Sequence, residues 1–293
     1  MSAQGWIVYS EFVGMFILLV WAMYLPFRGG QLYNGPIYCM CIAAYGTAWA
    51  TKTLDWPFGL AVLVGVIIGT FAGFLTSFAF SHSTGLVTAT TSICLIFILG
   101  DIIRNTSFIG GAMGIMYIPQ IRYLPIFIWV FVLLFGLFIY RIDSSRAGRA
   151  LEAIRTDQDL AKTLGINLQS SSLFTMTVAS GIGSLAGATF VFQMGMVSAD
   201  YFTFYLLLSV MSMLYVGGRY TMWGPILTAP ILWGLPLWVP NSVRPYMDMV
   251  NGGLLIAVLM WRPEGIISRE VIYHIRVWGK TWFRQKKSSL PAS

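Results

Sequence analysis

Apolar residues run along this chain in long blocks, separated by short polar or glycine-rich breaks. A hydrocarbon layer about 30 Å thick takes roughly 20 residues of helix to cross. On that measure the blocks fall at residues 7–27, 32–50, 58–80, 86–104, 122–141, 170–194, 203–217, 223–240 and 246–262. The alternation of a barrel strand is absent, and backbone groups in lipid must be satisfied within their own segment. The expectation is an all-α, polytopic transmembrane helical bundle of about 9 spans, within a range of 8–10. The least typical blocks are 203–217, which is short, and 223–240, which carries Pro225, Pro230, Pro236 and Pro240.

The breaks are not all alike. Gly29-Gly30-Gln31-Leu32-Tyr33-Asn34-Gly35-Pro36, the run Gly110-Gly111-Ala112-Met113-Gly114, and Gly217 to Pro225 each interrupt a helix. Irregular backbone at membrane depth is tolerated where it is buried in protein or lines a cavity. Each break can be an ordinary turn; as cavity-lining backbone, Gln31, Asn34, Gly35, Gly110, Gly111 and Gly114 become the expected substrate-pathway positions. Small residues at helical spacing, Gly65, Gly69 and Gly73, then Gly181, Gly183, Ser184 and Gly187, let helix backbones approach closely. They fit packing within the subunit, or between subunits.

One segment, residues 142–168, is too polar to span. Leu151, Ile154, Ala161 and Leu164 form a narrow apolar stripe at helical period. Glu152 with Arg155, Arg155 with Asp159, and Asp159 with Lys162 stand at pairing distances along a helix. Thr156-x-x-Asp159 has the form of a capping box, and Gly165 suits the position that closes a helix. The reading is helix, sharp turn, helix. Such a pair can dock in a groove of another protein and move its two attached spans, or lie on the membrane surface.

Composition sharpens the picture. Only 10% of the 293 residues are charged and the mean hydropathy is +0.74, against about 25% charge in a soluble domain. The net charge of +7 does not point to nucleic acid. Of the 18 Lys and Arg, five lie between Arg141 and Lys162 and seven from Arg262 onward, flanking apolar spans as cytoplasmic loops do. With both clusters inside, an odd span number puts the N-terminus outside, Arg28 and the His82 loop inside, and Lys52 and Arg104 outside. The division expected is 1–268 as a membrane domain and 269–293 as a basic cytoplasmic tail. Met1 to Glu11 lacks the basic start of a cleaved signal, so the first block is expected to be retained.

Residues 148–167 resemble the cytoplasmic coupling loop of permease subunits in ATP-binding-cassette importers of the branched-chain amino-acid type. The likeness extends to Gly30-Gln31-Leu32 with Gly35, to Gly100-Asp101-Ile102-Ile103-Arg104 followed by Gly110-Gly111 and Gly114-Ile115, to Gly217-Gly218 and Trp223-Gly224-Pro225, and to Arg262-Pro263-Glu264-Gly265-Ile266. It covers about residues 28–268. The resemblance implies a bacterial inner-membrane importer for amino acids or similar small polar solutes. Its partners would be a second related permease, two cytoplasmic ATPases that bind ATP and Mg, and an external solute-binding protein. It implies an ATPase contact at Arg149, Glu152, Ala153, Arg155, Asp157, Asp159 and Gly165. Two departures leave the solute open, urea and amides included. Tyr33-Asn34-Gly35-Pro36 stands where the family has Ser-Leu-Gly-His, and Thr90, Thr91 and Cys94 make the fourth span polar.

Other chemistry finds little support. No Gly-x-x-x-x-Gly-Lys-Ser/Thr run is present to hold ATP in this chain. Cys39-Met40-Cys41 has no His or acid nearby to complete a metal site. No nucleophile and base are placed for catalysis, with His82 and His274 each isolated. Asp101 is expected to pair with Arg104. The alternative transport class, an ion-coupled secondary carrier acting without an ATPase, would want buried acids and inverted repeats.

Overall fold

The computed structural model describes residues 3–83, 85–238, 247–261 and Gly265. The tail 269–293, with His274, and Arg262, Pro263, Glu264 and Ile266 lie outside the described residues. The helices are α1 (Ala3–Arg28), α2 (Gly35–Thr53), α3 (Phe58–Phe80), α4 (Gly85–Asn105), α5 (Leu124–Ser144), α6 (Arg146–Thr156), α7 (Gln158–Thr163), α8 (Leu168–Met194), α9 (Phe204–Gly217), α10 (Gly224–Trp238) and α11 (Met247–Trp261). Each of the nine apolar blocks has its helix. Six stretches are long and apolar enough to cross a membrane: Gln4–Arg28, Phe58–Phe80, Gly85–Asn105, Leu124–Ser144, Leu168–Met194 and Ala199–Gly217. The shorter α10 and α11 complete a helical membrane bundle compatible with about nine spans.

α2 has length enough, at 19 residues, yet dilutes its apolarity with Gly, Thr and Tyr. The reason is its place. It sits at the centre, packed against α1, α3 and α8, with Tyr38, Cys39, Met40, Ala44 and Ala48 buried along it. A helix wholly enclosed by protein has no lipid-facing stripe to keep apolar. The contrast with the rim is large: 78% of the apolar stretch of α8 is buried, against 17% for α5.

The glycine stripes explain how α2, α3 and α8 come so close. A Cβ on Gly69 would meet the carbonyl oxygen of Cys39 at 2.9 Å and Ala43 Cβ at 2.9 Å. Gly73 faces Ser180 and Cys39, Gly187 faces the Met40 carbonyl, and Gly183 faces Pro36. Both stripes therefore serve packing inside this chain, where close contact between backbones replaces the hydrophobic drive that lipid removes.

Helices alternate in direction, so their ends gather on two faces. On one face lie the α1–α2 turn, the α3–α4 turn, α6 with α7, and the α9–α10 turn. Gly85 approaches the Gly30 carbonyl, and Gly265 packs on Gly218. On the other face lie the 54–57 turn, residues 106–123 and residues 195–203. There Ile115 and Val197 exchange backbone hydrogen bonds of 3.0 and 2.9 Å. The expected grouping of Arg28 with His82, apart from Lys52 with Arg104, is the observed one.

Candidate functional site

The polar segment folds as helix, turn, helix. Ser145 caps α6 by accepting from the Ala147 N–H at 3.1 Å. Gly148 makes the α5–α6 corner possible, since a Cβ there would sit 2.5 Å from the Ile142 carbonyl oxygen and 2.7 Å from that of Asp143. Leu151, Ile154 and Ala161 turn inward and are buried. Gly165 ends α7 with φ +77°, its N–H donating to the Lys162 carbonyl at 2.9 Å.

Three local expectations change. The cap of α7 is Asp157, whose Oδ1 accepts from the Asp159 and Leu160 N–H groups at 2.9 and 3.0 Å. Thr156 instead ends α6, its hydroxyl donating to the Glu152 carbonyl. The turn at Asp157 swings Asp159 away from Arg155, so that pair is not made. Asp159 takes Lys162 at 2.9 Å, and Arg155 takes Glu152 at 3.9 Å. Leu164 lies outside the buried stripe: it is 67% exposed, beside Leu160 at 59%. With Arg149, Asp157 and Asp159 also exposed, the outer surface carries two leucines among charges.

The inner surface is clamped to the bundle. Arg28, only 11% exposed at its side chain, closes α1, and its Nε stands 2.9 Å from Asp143 Oδ1 at the end of α5. Tyr24 donates to the other oxygen of Asp143 at 2.8 Å. A second arm of Arg28 reaches Glu152 on α6 at 3.8 Å. Arg155 then lies 4.1 Å over the Tyr220 ring in the α9–α10 turn, with Arg219 over the same ring at 4.7 Å. Under the helix, Gly29 and Gly30 leave room for Leu151 and for the Arg155 backbone. At 11% and 20% side-chain exposure the Arg28–Asp143 pair is largely shielded from water, and loses more than a surface pair would when one partner is removed. α1, α5 and the α9–α10 turn are thereby fixed to α6. Trp21, one turn above Tyr24, adds a hydrogen bond of 2.8 Å to the Met222 carbonyl.

The α1–α2 turn continues from this clamp. Gln31 Nε2 donates to Ser172 on α8 at 2.9 Å. Asn34 uses its backbone N–H on Ser92 of α4 at 3.3 Å and its side-chain amide on the Ala89 carbonyl at 3.4 Å. Both residues are buried, at 8% and 3% exposure. Between them the Tyr33 hydroxyl meets Tyr38 at 2.8 Å and Ser180 at 2.9 Å, its ring filling the space that Gly35 leaves. Pro36 sits in the first turn of α2, where its missing N–H costs nothing.

The remaining pathway candidates are elsewhere. Gly110, Gly111 and Gly114 shape two 3₁₀ turns after the far end of α4. Asn34 touches the near end of that helix, so the six positions do not form one site. Arg28, Asp143 and Tyr220 were not singled out by their sequence; Arg28 and Asp143 do close spans as charged residues, which is the one signal they carry.

A bundle of apolar helices with a polar helical pair clamped at one face describes a polytopic helical membrane protein. Residues 12–259 match the family described as the permease component of the branched-chain amino acid transport system, and the chain belongs to that family. It is similar to the high-affinity branched-chain amino acid transport system permease protein LivM of Escherichia coli (strain K12), 26% identical over 264 residues covering 77% of this chain and 61% of LivM. LivM of Salmonella typhimurium is 25% identical over the same shares. The corresponding protein BraD of Pseudomonas aeruginosa is 31% identical over 157 residues, 51% of this chain and 49% of its own. The chain thus spans about 61% of the length of the LivM relatives. These names describe transport permeases and not enzymes. No solved structure matches.

Proposed function

We propose that this chain is a transmembrane permease subunit of an ATP-binding-cassette importer in the bacterial inner membrane, carrying branched-chain amino acids or closely similar solutes. The α6–α7 pair faces the cytoplasm and docks on an ATPase subunit. Arg149, Ala153, Asp157 and Asp159 lie at or beside that contact, Glu152 and Arg155 fasten its inner side, and Gly165 closes it. The N-terminus lies outside and the basic tail inside. A second related permease, two ATPases holding ATP and Mg, and an external binding protein complete the assembly.

The observation that carries this reading is the clamp. A helical pair that only rested on the membrane would need no buried arginine joining it to α1 and α5. Tied through Arg28, Asp143 and Glu152, a push on α6 moves the ends of α1 and α5 with it. The attached α1–α2 turn, anchored by Gln31 and Asn34 to α8 and α4, passes that displacement toward the centre of the bundle.

The test is co-purification of the tagged chain from its own membrane in mild detergent, followed by ATP-driven uptake after reconstitution. Two ATPases and a second permease in fixed ratio, lost on Asp157→Lys with Leu160→Asp, support the reading. A chain that purifies alone and moves solute under an ion gradient without ATP overturns it in favour of a secondary carrier.

A further inference from the structure

Where α5 passes into α6, three arginines stand close along the chain without an acid of their own. Arg141, Arg146 and Arg149 are exposed, and none forms an ion pair among the described residues. The carboxylates of this corner are engaged elsewhere, Asp143 with Arg28 and Glu152 with Arg28 and Arg155. Arg149 stands beside the proposed ATPase contact, but its head turns back, with Nη1 reaching the Ser144 carbonyl at 3.5 Å. Ser144 is one helical turn beyond Arg141, and its hydroxyl donates to the Arg141 carbonyl at 3.2 Å. The head of Arg149 therefore lies at the end of α5, on the turn that carries Arg141.

The membrane side of the corner is equally one-sided. Val130, Leu133, Leu137 and Arg141 follow at three- and four-residue steps, and so form a single stripe down α5. All four are exposed, Leu133 at 65% and Leu137 at 59%, with exposed Tyr140 beside them. Val130 to Arg141 spans about 16 Å, close to one leaflet's half of a hydrocarbon layer about 30 Å thick. Apolar side chains thus run the depth of one leaflet and end on a tyrosine, at headgroup level, and on positive charge.

We propose that this corner binds an anionic phospholipid, with its phosphate held by Arg141, Arg146 and Arg149 and one acyl chain lying along Leu137, Leu133 and Val130. Guanidinium suits an interface, because it meets phosphate oxygens in pairs and is weakly hydrated. Three of them exceed the charge of a single phosphate, so a lipid with two phosphates, of the diphosphatidylglycerol kind, fits best. A headgroup bridging α5 and α6 also relieves the repulsion among like charges at residues 141, 146 and 149. A carboxylate of a docked protein would answer the charge but not the apolar stripe that leads into it. The site goes beyond the importer reading and uses it only to name the leaflet. With the α6–α7 pair toward the cytoplasm, the headgroup belongs to the inner one.

The experiment takes the tagged transporter as it purifies from its membrane and strips native lipid with detergent. Its thermal transition is then followed while one lipid at a time is added. Diphosphatidylglycerol should half-saturate the shift at a concentration at least tenfold below phosphatidylcholine of the same acyl chains, and inorganic phosphate should shift nothing. Arg141→Gln should raise the half-saturating diphosphatidylglycerol about fivefold. Exchange of all three arginines for Gln should abolish the preference. Arg141→Lys should keep most of it, and Arg122→Gln, just before the other end of α5, should change nothing. If the triple variant does not assemble, the single exchange and the weakening of the preference in concentrated salt carry the same test. Equal response to both phospholipids makes the corner ordinary bilayer contact and overturns the site, as does a shift with phosphate alone. A preference that survives the triple exchange overturns it too, and if the ATPases are lost instead, the arginines belong to that contact. The two readings fail separately: lipid preference in a chain that purifies without ATPases leaves the site standing, and ATP-driven uptake without preference removes the site alone.

Discussion

The two faces of the bundle hold their charges differently. At the clamp, Arg28 is enclosed, with a side chain 11% exposed and contacts to two carboxylates and a tyrosine on three helices. At the far face, Arg104 is 41% exposed and its two partners are about 70% exposed. An enclosed network keeps one geometry, because moving it strands charge away from water. An exposed pair opens at little cost, because water replaces the lost partner. The clamp is thus built to move as a body and the far face to rearrange.

This contrast can be broken by mutation. The largest effect is expected from Arg28→Ala, which takes the guanidinium away from Asp143 and Glu152. Stability of the purified complex should fall by about 3 kcal/mol, read as the shift in its thermal transition, with ATP hydrolysis no longer driving uptake. If Arg104→Ala cost as much, the two faces would not differ as described. Next is Gly148→Val, whose added carbon meets two backbone carbonyls that cannot yield. About 2 kcal/mol and protease cleavage at the α5–α6 corner are expected. Asp157→Ala removes the α7 cap and should cost about 1 kcal/mol, visible as faster amide exchange over 158–163, with Asp157→Asn retaining most protection. The smallest effect is that of Arg104→Ala on stability, below about 0.5 kcal/mol and vanishing in high salt. The cost of Arg28→Ala should persist in the same salt, which sharpens the comparison.

Much of the fold was legible because lipid imposes a simple rule of length and apolarity. Residues 58–80 were read to the residue, and the stripe of Gly65, Gly69 and Gly73 pointed to close packing that the structure places against α2 and α8. The nearby pair Asp101 and Arg104 was legible for the same reason, since one helical turn joins them. Its third member, Asp200, lies 96 positions beyond Arg104, and no local spacing announces it. Asp143 and Arg28 pose the same difficulty, because the clamp is made by tertiary proximity and not by period. In the helical pair, Thr156 matched a capping pattern one position too early. Asp157 prevailed as a stronger acceptor already in extended backbone. Leu164 fitted the apolar stripe by counting through a turn that resets the count.

The length of α8 has a further consequence. Its 27 residues make a rod about 40 Å long, some 10 Å more than the hydrocarbon layer. The excess falls at its first turns, Leu168-Gln169-Ser170-Ser171-Ser172, which are too polar for acyl chains. These first turns therefore form a short stalk between the acyl chains and α7, beside the clamped α6. A thicker bilayer would draw the stalk in or tilt it less, and a thinner one would leave more of it standing free.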